Sequence, residues 1–174
     1  MDNSILNLAA IVAATNVLGP GLRFGIWVQG CPFSCPGCIS PDWITRKPNQ
    51  IISISDMASM ILDSHTTGLT ISGGEPFLQR DALAVLIERV RKTRAIDVIV
   101  FTGYKYSQLQ RLSQAEKLLQ QIDLLIDGSY IAERNIDVGL RGSDNQQLLF
   151  LSNRLKNIDF PFENYSRKIE LHFQ

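Results

Sequence analysis

Four short apolar runs, Phe24–Gln29, Leu69–Ser72, Asp97–Thr102 and Ile122–Asp127, alternate with segments of helical periodicity. This alternation constrains the fold more than any other feature of the chain. Strands that are apolar along their whole length are buried on both faces, and strands separated by helices pair in parallel through crossovers. The pattern therefore predicts an α/β fold with a mostly parallel sheet covered by helices. A closed eight-stranded α/β barrel needs about 250 residues. The 174 residues here predict only an incomplete, partial α/β barrel, with strands added at the termini.

The remaining elements fit around that frame. Residues 5–13 are apolar and β-branched enough for a strand, which Asn16-Val-Leu-Gly-Pro-Gly21 then breaks. A loop runs through Pro41 and Pro48. Ser55 is positioned to cap a helix to Asp63, with Met57, Met60 and Ile61 on its apolar face. Asp81 can cap the next, which repeats Leu83, Leu86, Ile87 and Val90 at helical spacing. Ser107 and the Ser113-x-x-Glu116 pattern predict a third, interrupted helix, and Leu148–Leu151 and Lys168–Phe173 two more strands. Trp27 alternates within its strand and reads as core. No repeat or low-complexity linker divides the chain, so one domain over 1–174 is expected, with 147–174 as a C-terminal extension.

Composition narrows the partners. Lys plus Arg and Asp plus Glu are 17 each, and there is no long basic run, which argues against a nucleic-acid or anionic membrane surface. The start lacks the basic region of a signal peptide, and its apolar stretch is far shorter than a membrane span. A cytoplasmic protein is expected. An odd number of closely spaced cysteines also fits a reducing compartment, and a metal better than a crosslink.

The chemistry concentrates in loops that follow strands. The chain's only cysteines, Cys31, Cys35 and Cys38, share the segment Gly30-Cys-Pro-Phe-Ser-Cys-Pro-Gly-Cys38, directly after the second strand. Three thiolates on one tight loop can hold three corners of a 4Fe-4S cluster, which ordinarily takes four cysteines, and so leave one iron open. The alternatives are a zinc site completed by His65 or His172, a plain electron-transfer cluster, or a catalytic thiol. Further on, Ser72-Gly-Gly-Glu-Pro-Phe77 offers two glycines for close backbone approach and a carboxylate, Glu75, able to receive an ammonium group. Thr102-Gly-Tyr104 and Asp127-Gly-Ser-Tyr130 follow the next two strands. Arg23 reads either as a surface cation or as an electrostatic partner of the cluster. Arg141 reads as part of a solvated turn, Trp43 as a loop anchor, cluster shield or groove wall, and Tyr104 and Tyr130 as polar-tipped core or site walls.

Cys31-x3-Cys35-x2-Cys38 followed by Gly73-Gly-Glu-Pro76 resembles the radical S-adenosylmethionine (SAM) superfamily. Gly19-Pro-Gly-Leu-Arg23, Val28-x-Gly-Cys31, Thr102-Gly-Tyr104, Leu125-x-Asp-Gly128 and Arg141-Gly-Ser-Asp-Asn-Gln146 are similar, within it, to the anaerobic ribonucleotide reductase activating proteins. The resemblance implies a 4Fe-4S cluster on Cys31, Cys35 and Cys38, with SAM chelating the fourth iron. It places Gly73, Gly74 and Glu75 at the methionine ammonium, Gly37 by the adenine, and Thr102 and Asp127 at the ribose or methionine carboxylate. Arg141 would contact substrate or SAM.

The implied reaction is reductive cleavage of SAM to a 5′-deoxyadenosyl radical that takes hydrogen from a polypeptide, so no side chain is itself the catalytic group. The resemblance favours activation of a glycyl-radical enzyme, with an electron donor such as flavodoxin. Residues 147–174 run beyond the usual end of the small activases and leave a second reading: radical modification of a ribosomally made precursor peptide, by backbone excision, splicing or crosslinking, with a small recognition protein. A non-enzymatic iron–sulfur binding module is the third.

Overall fold

The computed structural model of the chain describes residues 4–164. Its strands are β1 (Ile5–Thr15), β2 (Arg23–Val28), β3 (Gln50–Ser53), β4 (Gly68–Gly73), β5 (Asp97–Phe101), β6 (Leu124–Asp127) and β7 (Gln147–Phe150). Its helices are α1 (Ile54–Asp63), α2 (Arg80–Arg91), α3 (Tyr106–Leu109) and α4 (Glu116–Leu119). All seven strands form one sheet of order β3-β1-β2-β4-β5-β6-β7. The four predicted apolar runs are its centre, β2-β4-β5-β6, and they pair in parallel. Antiparallel partners flank them, β1 and β3 on one side and β7 on the other. Among the described residues the sheet is open, with β3 and β7 as its edges.

Register explains the burial. Phe24 lies beside Leu69, Ile26 beside Ile71, Leu69 beside Val98 and Ile71 beside Val100, so these side chains share one face. Met57 and Ile61 of α1 and Leu83, Leu86, Ile87 and Val90 of α2 close over that face as the main core. Alternate residues point the other way. There Ile99, Leu124 and Ile126 pack against Leu140, Leu155 and Phe162 in a smaller core. No helix among the described residues is long and apolar enough to cross a membrane.

Several element boundaries differ from expectation for local reasons. The segment before α1 is strand β3, paired antiparallel with Ile5–Leu8, so the helix begins where that strand ends. Ser53, not Ser55, is therefore the cap, its Oγ accepting from the Asp56 N–H at 3.0 Å. Met60 is 41% exposed because it lies beside, not on, the buried stripe of Ile54, Met57, Ala58 and Ile61. Asp81 sits inside the first turn of α2, since a 3-10 turn over Pro76–Gln79 runs straight into that helix. The interrupted helix occurs as α3 and α4, but α4 starts from Ala115 in helical conformation, without a side-chain cap from Ser113. Strand β1 runs two residues further than predicted, to Thr15. The strand expected over 168–173, and His172 with it, lie outside the described residues.

Candidate functional site

Parallel pairing of β2, β4, β5 and β6 brings the loops after them to one edge of the sheet. These loops carry the cysteines, the Gly73-Gly-Glu-Pro76 turn, Thr102-Gly-Tyr104 and Gly128-Ser-Tyr130. A cavity of about 400 Å³ opens among them, on the sheet face turned away from α1 and α2. Cys31, Cys35, Cys38, Gly73, Gly74 and Thr102 all line it. Trp27, Trp43, Phe101 and Leu140 make its apolar walls. Trp27 is thus a wall residue and not core: it points to the face opposite Phe24, Ile26 and Val28, and its ring lies 6.3 Å from that of Trp43.

The cysteine loop is held mainly by backbone. Gly30 N donates to Trp43 O at 2.8 Å and Cys31 N to Ile44 O at 3.0 Å. From the β4 side, Gly74 N donates to Val28 O and Glu75 N to Gly30 O, both at 2.8 Å. A Cβ on Gly74 would sit 2.1 Å from the Gly30 carbonyl oxygen, so this approach is open to glycine alone. Phe33, between the first two cysteines, stacks edge-on against Tyr104 at 4.8 Å and lies over Gly103.

All three thiols are free and half-buried. Desolvation pushes the Cys31 thiol up, with Glu75 and the other two cysteines adding to the effect and the Phe33 amide opposing it. Among the described residues, no three His, Cys, Asp or Glu side chains are drawn around a single point as one metal ion would require. The thiols are instead spread along one loop that faces one cavity. That donor set suits a multi-iron group, which takes its thiolates at separate corners. His65 does not complete a zinc site with them. It is exposed, in the left-handed region at φ 53°, between α1 and the amino end of β4, at the other end of the sheet.

The carboxylates expected at a ligand stand behind the wall. Glu75 is 0% exposed. Its Oε1 accepts from Phe77 N at 2.9 Å, its Oε2 from Gly103 N at 2.9 Å, and the Thr102 hydroxyl donates between the two oxygens at 2.9 and 3.0 Å. Burial pushes its pKa to about 7 against the downward pull of those three donors. Asp127 is also buried, and its Oδ2 accepts from Tyr106 N at 2.6 Å, opening α3. Gly37 is exposed at φ 67°, away from the cavity and beside Ala132.

Two further residues shape the site without having been assigned a role from sequence. Gln146 donates from Nε2 to Gly128 O at 2.7 Å and accepts from Gly142 N at 2.8 Å, tying the 141–146 segment to the β6 loop. Its signal was membership of the Arg-Gly-Ser-Asp-Asn-Gln motif. Leu18, carried to the cavity by the Gly19-Pro-Gly21 turn, is the other. Tyr130 lines the cavity, whereas Arg141 bonds the carbonyls of its own loop. Arg23 is neither surface cation nor cluster partner: it is fully buried at the amino end of β2, paired with Asp97 at 2.6 Å.

Residues 17–149 match the family described as a 4Fe-4S single cluster domain. The anaerobic ribonucleoside-triphosphate reductase-activating protein of Enterobacteria phage T4 is 31% identical over 151 residues, covering 82% of this chain and 93% of its own length. The pyruvate formate-lyase-activating enzyme of Staphylococcus aureus (strain USA300) is 27% identical over 165 residues, or 89% of this chain. This chain spans 65% of the length of that enzyme. With all three thiols and every loop around the cavity inside the matched span, the chain belongs to the 4Fe-4S single cluster domain family, alongside the radical SAM activating proteins that its motifs resemble.

Proposed function

We propose that this protein is a radical SAM activating enzyme that installs a glycyl radical on a partner enzyme, working as one cytoplasmic domain. The observation that carries the reading is the convergence of the chain's only three thiols on the same cavity as the Gly73-Gly74 turn. In this reading the open sheet is the incomplete barrel expected of such a domain. Cys31, Cys35 and Cys38 would hold the 4Fe-4S cluster, and the cavity would take SAM. Bound together, and reduced by a donor of the flavodoxin class, these cofactors supply cleavage of the sulfonium and removal of a hydrogen atom from the polypeptide.

The chain's own contribution is binding, orientation and exclusion of water. Gly73 and Gly74 offer close backbone approach for the methionine ammonium, Glu75 completes their turn, and Thr102 lines the wall near the ribose or carboxylate. Gly37 and Asp127 act from outside that wall, by letting the loop pass Ala132 and by fixing the start of α3. Trp27, Trp43, Phe101 and Leu140 keep the cavity apolar, as protection of a reactive species requires.

The test is anaerobic reconstitution with iron and sulfide, addition of SAM and a strong reductant, and measurement of 5′-deoxyadenosine against Cys35→Ala. Cluster-dependent product is expected, followed by an EPR-detectable radical on co-incubated anaerobic ribonucleoside-triphosphate reductase. A fully loaded cluster that neither binds nor cleaves SAM would overturn the enzymatic reading. Product formation without transfer to the reductase, but with conversion of a precursor peptide, would replace the activase role.

A further inference from the structure

We propose that the Glu75 side chain is a positioning residue, a buried post that fixes the Thr102-Gly103-Tyr104 loop and, through Phe33, the cysteine loop, and that it does not itself receive the ammonium of the ligand. The inference deepens the proposed function and rests on it only where SAM is concerned.

Its basis is a continuous set of contacts. An ionised carboxylate has about four acceptor positions, and here three donors converge on them: the amides of Phe77 and Gly103 and the hydroxyl of Thr102. With no exposure, the group presents no free edge to the cavity, and the lining residues include Gly73, Gly74 and Thr102 but not Glu75. The loop it holds is what the cysteine loop leans on. A Cβ at Gly103 would come within 2.6 Å of the Phe33 ring, and that ring packs on Tyr104. The same loop is secured from β6 by Gly128 N to Tyr104 O at 2.9 Å and by Ser129 Oγ to Gly103 O at 3.2 Å. Without its acceptor, the Phe77 amide would be left buried and unpaired and the half-buried Gly103 amide would lose its partner, so the surface under Phe33 would loosen.

Amide hydrogen exchange of the protein without SAM, iron release from the reconstituted holoenzyme to a chelator, and SAM affinity per intact cluster separate the two roles. In Glu75→Ala, exchange over 102–104 and 31–38 and chelator release should each quicken roughly tenfold, the loss expected when a buried donor set loses its acceptor. SAM affinity per intact cluster should stay within about threefold, since no ligand contact is removed. Thr102→Val, which deletes the hydroxyl bonds, should quicken exchange and chelator release in the same way but more weakly, and those two readouts, without SAM affinity, carry the test if Glu75→Ala does not fold. Wild-type exchange and iron retention in both variants, with SAM affinity of Glu75→Ala down by about tenfold or more, would make the carboxylate a direct ligand and overturn the proposal. If wild-type holoenzyme binds no SAM, the proposed function falls, while the exchange comparison still decides the role of Glu75.

Discussion

The two ends of the parallel strands bury carboxylates by opposite rules. At the amino end each faces a guanidinium. Asp97 lies 2.6 Å from Arg23, and Asp123 lies 2.7 Å from Arg91 while also accepting from Val98 N at 2.8 Å and from Ser152 Oγ. At the carboxyl end, Glu75 and Asp127 face backbone amides and a hydroxyl, and among the described residues neither forms an ion pair. Charge is cancelled where it only has to hold strands together. Where the thiols and the cavity lie, the carboxylates have no cation beside them and are held by hydrogen bonds alone, so burial raises the Glu75 pKa and the loops depend on those bonds.

The hardest test of this contrast falls on Arg23. Its guanidinium bonds Thr70 Oγ1 at 2.6 Å, Leu69 O at 2.9 Å and Pro20 O at 3.0 Å, besides pairing with Asp97. Thr70 in turn donates to Leu18 O at 3.0 Å, so the network also anchors the turn that brings Leu18 to the cavity. Arg23→Met removes the fully buried partner of a pair whose carboxylate keeps 17% exposure, and should cost about 3 kcal/mol in urea unfolding. Adding Asp97→Ala should recover part of that loss, because the stranded carboxylate goes with it. A single variant that costs under about 1 kcal/mol would mean the amino end does not depend on charge cancellation.

At the opposite end the corresponding test is pH. The Glu75 carboxyl is raised from 4.5 unfolded to about 7 folded, chiefly by desolvation. The folded state therefore holds this proton more tightly than the unfolded chain. Its contribution is complete below the unfolded value and is lost as pH rises through about 7, by roughly 3 kcal/mol at 1.36 kcal/mol per pKa unit. Asp97 is also raised and adds a slope of the same sign, so the informative quantity is the difference between wild type and Glu75→Gln. Urea stability of the cluster-free protein should fall more between pH 5 and 8 in wild type than in the variant. Equal slopes would show that Glu75 is not titrating from behind the wall.

How far sequence reached can be traced through the same two ends. The central strands were legible because burial on both faces made them apolar throughout, while Gln50–Ser53 was hidden because an edge strand keeps an exposed side. The site loops were legible because crossover topology places strand ends together and each loop carries a motif. Glu75 was found, but its direction was not: that depends on Thr102 and Gly103, a strand away. Trp27 showed the alternation of a strand, which fixes a face without saying whether that face holds core or cavity. Arg23 likewise gave no sign of Asp97, since a buried pair is set by sheet register, with Arg23 beside Gly68 and Gly68 beside Asp97.

The smallest effect on stability should come from the residues nearest the proposed chemistry. Cys35 is half-buried, free, and carried on a loop held by the backbone bonds of Gly30, Cys31 and Cys38 and by the packing of Phe33, none of which uses the Cys35 side chain. Cys35→Ala should therefore change urea stability of the cluster-free protein by no more than about 0.5 kcal/mol, as for substitutions outside packed or bonded positions. Iron bound per chain after reconstitution should nevertheless fall sharply, because one corner loses its donor. The two readouts must separate for the contrast to hold. If Cys35→Ala destabilised the cluster-free protein as Arg23→Met does, the thiols would be part of what holds the fold, and the division between a charge-cancelled end and a cavity end would fail at its most exposed point.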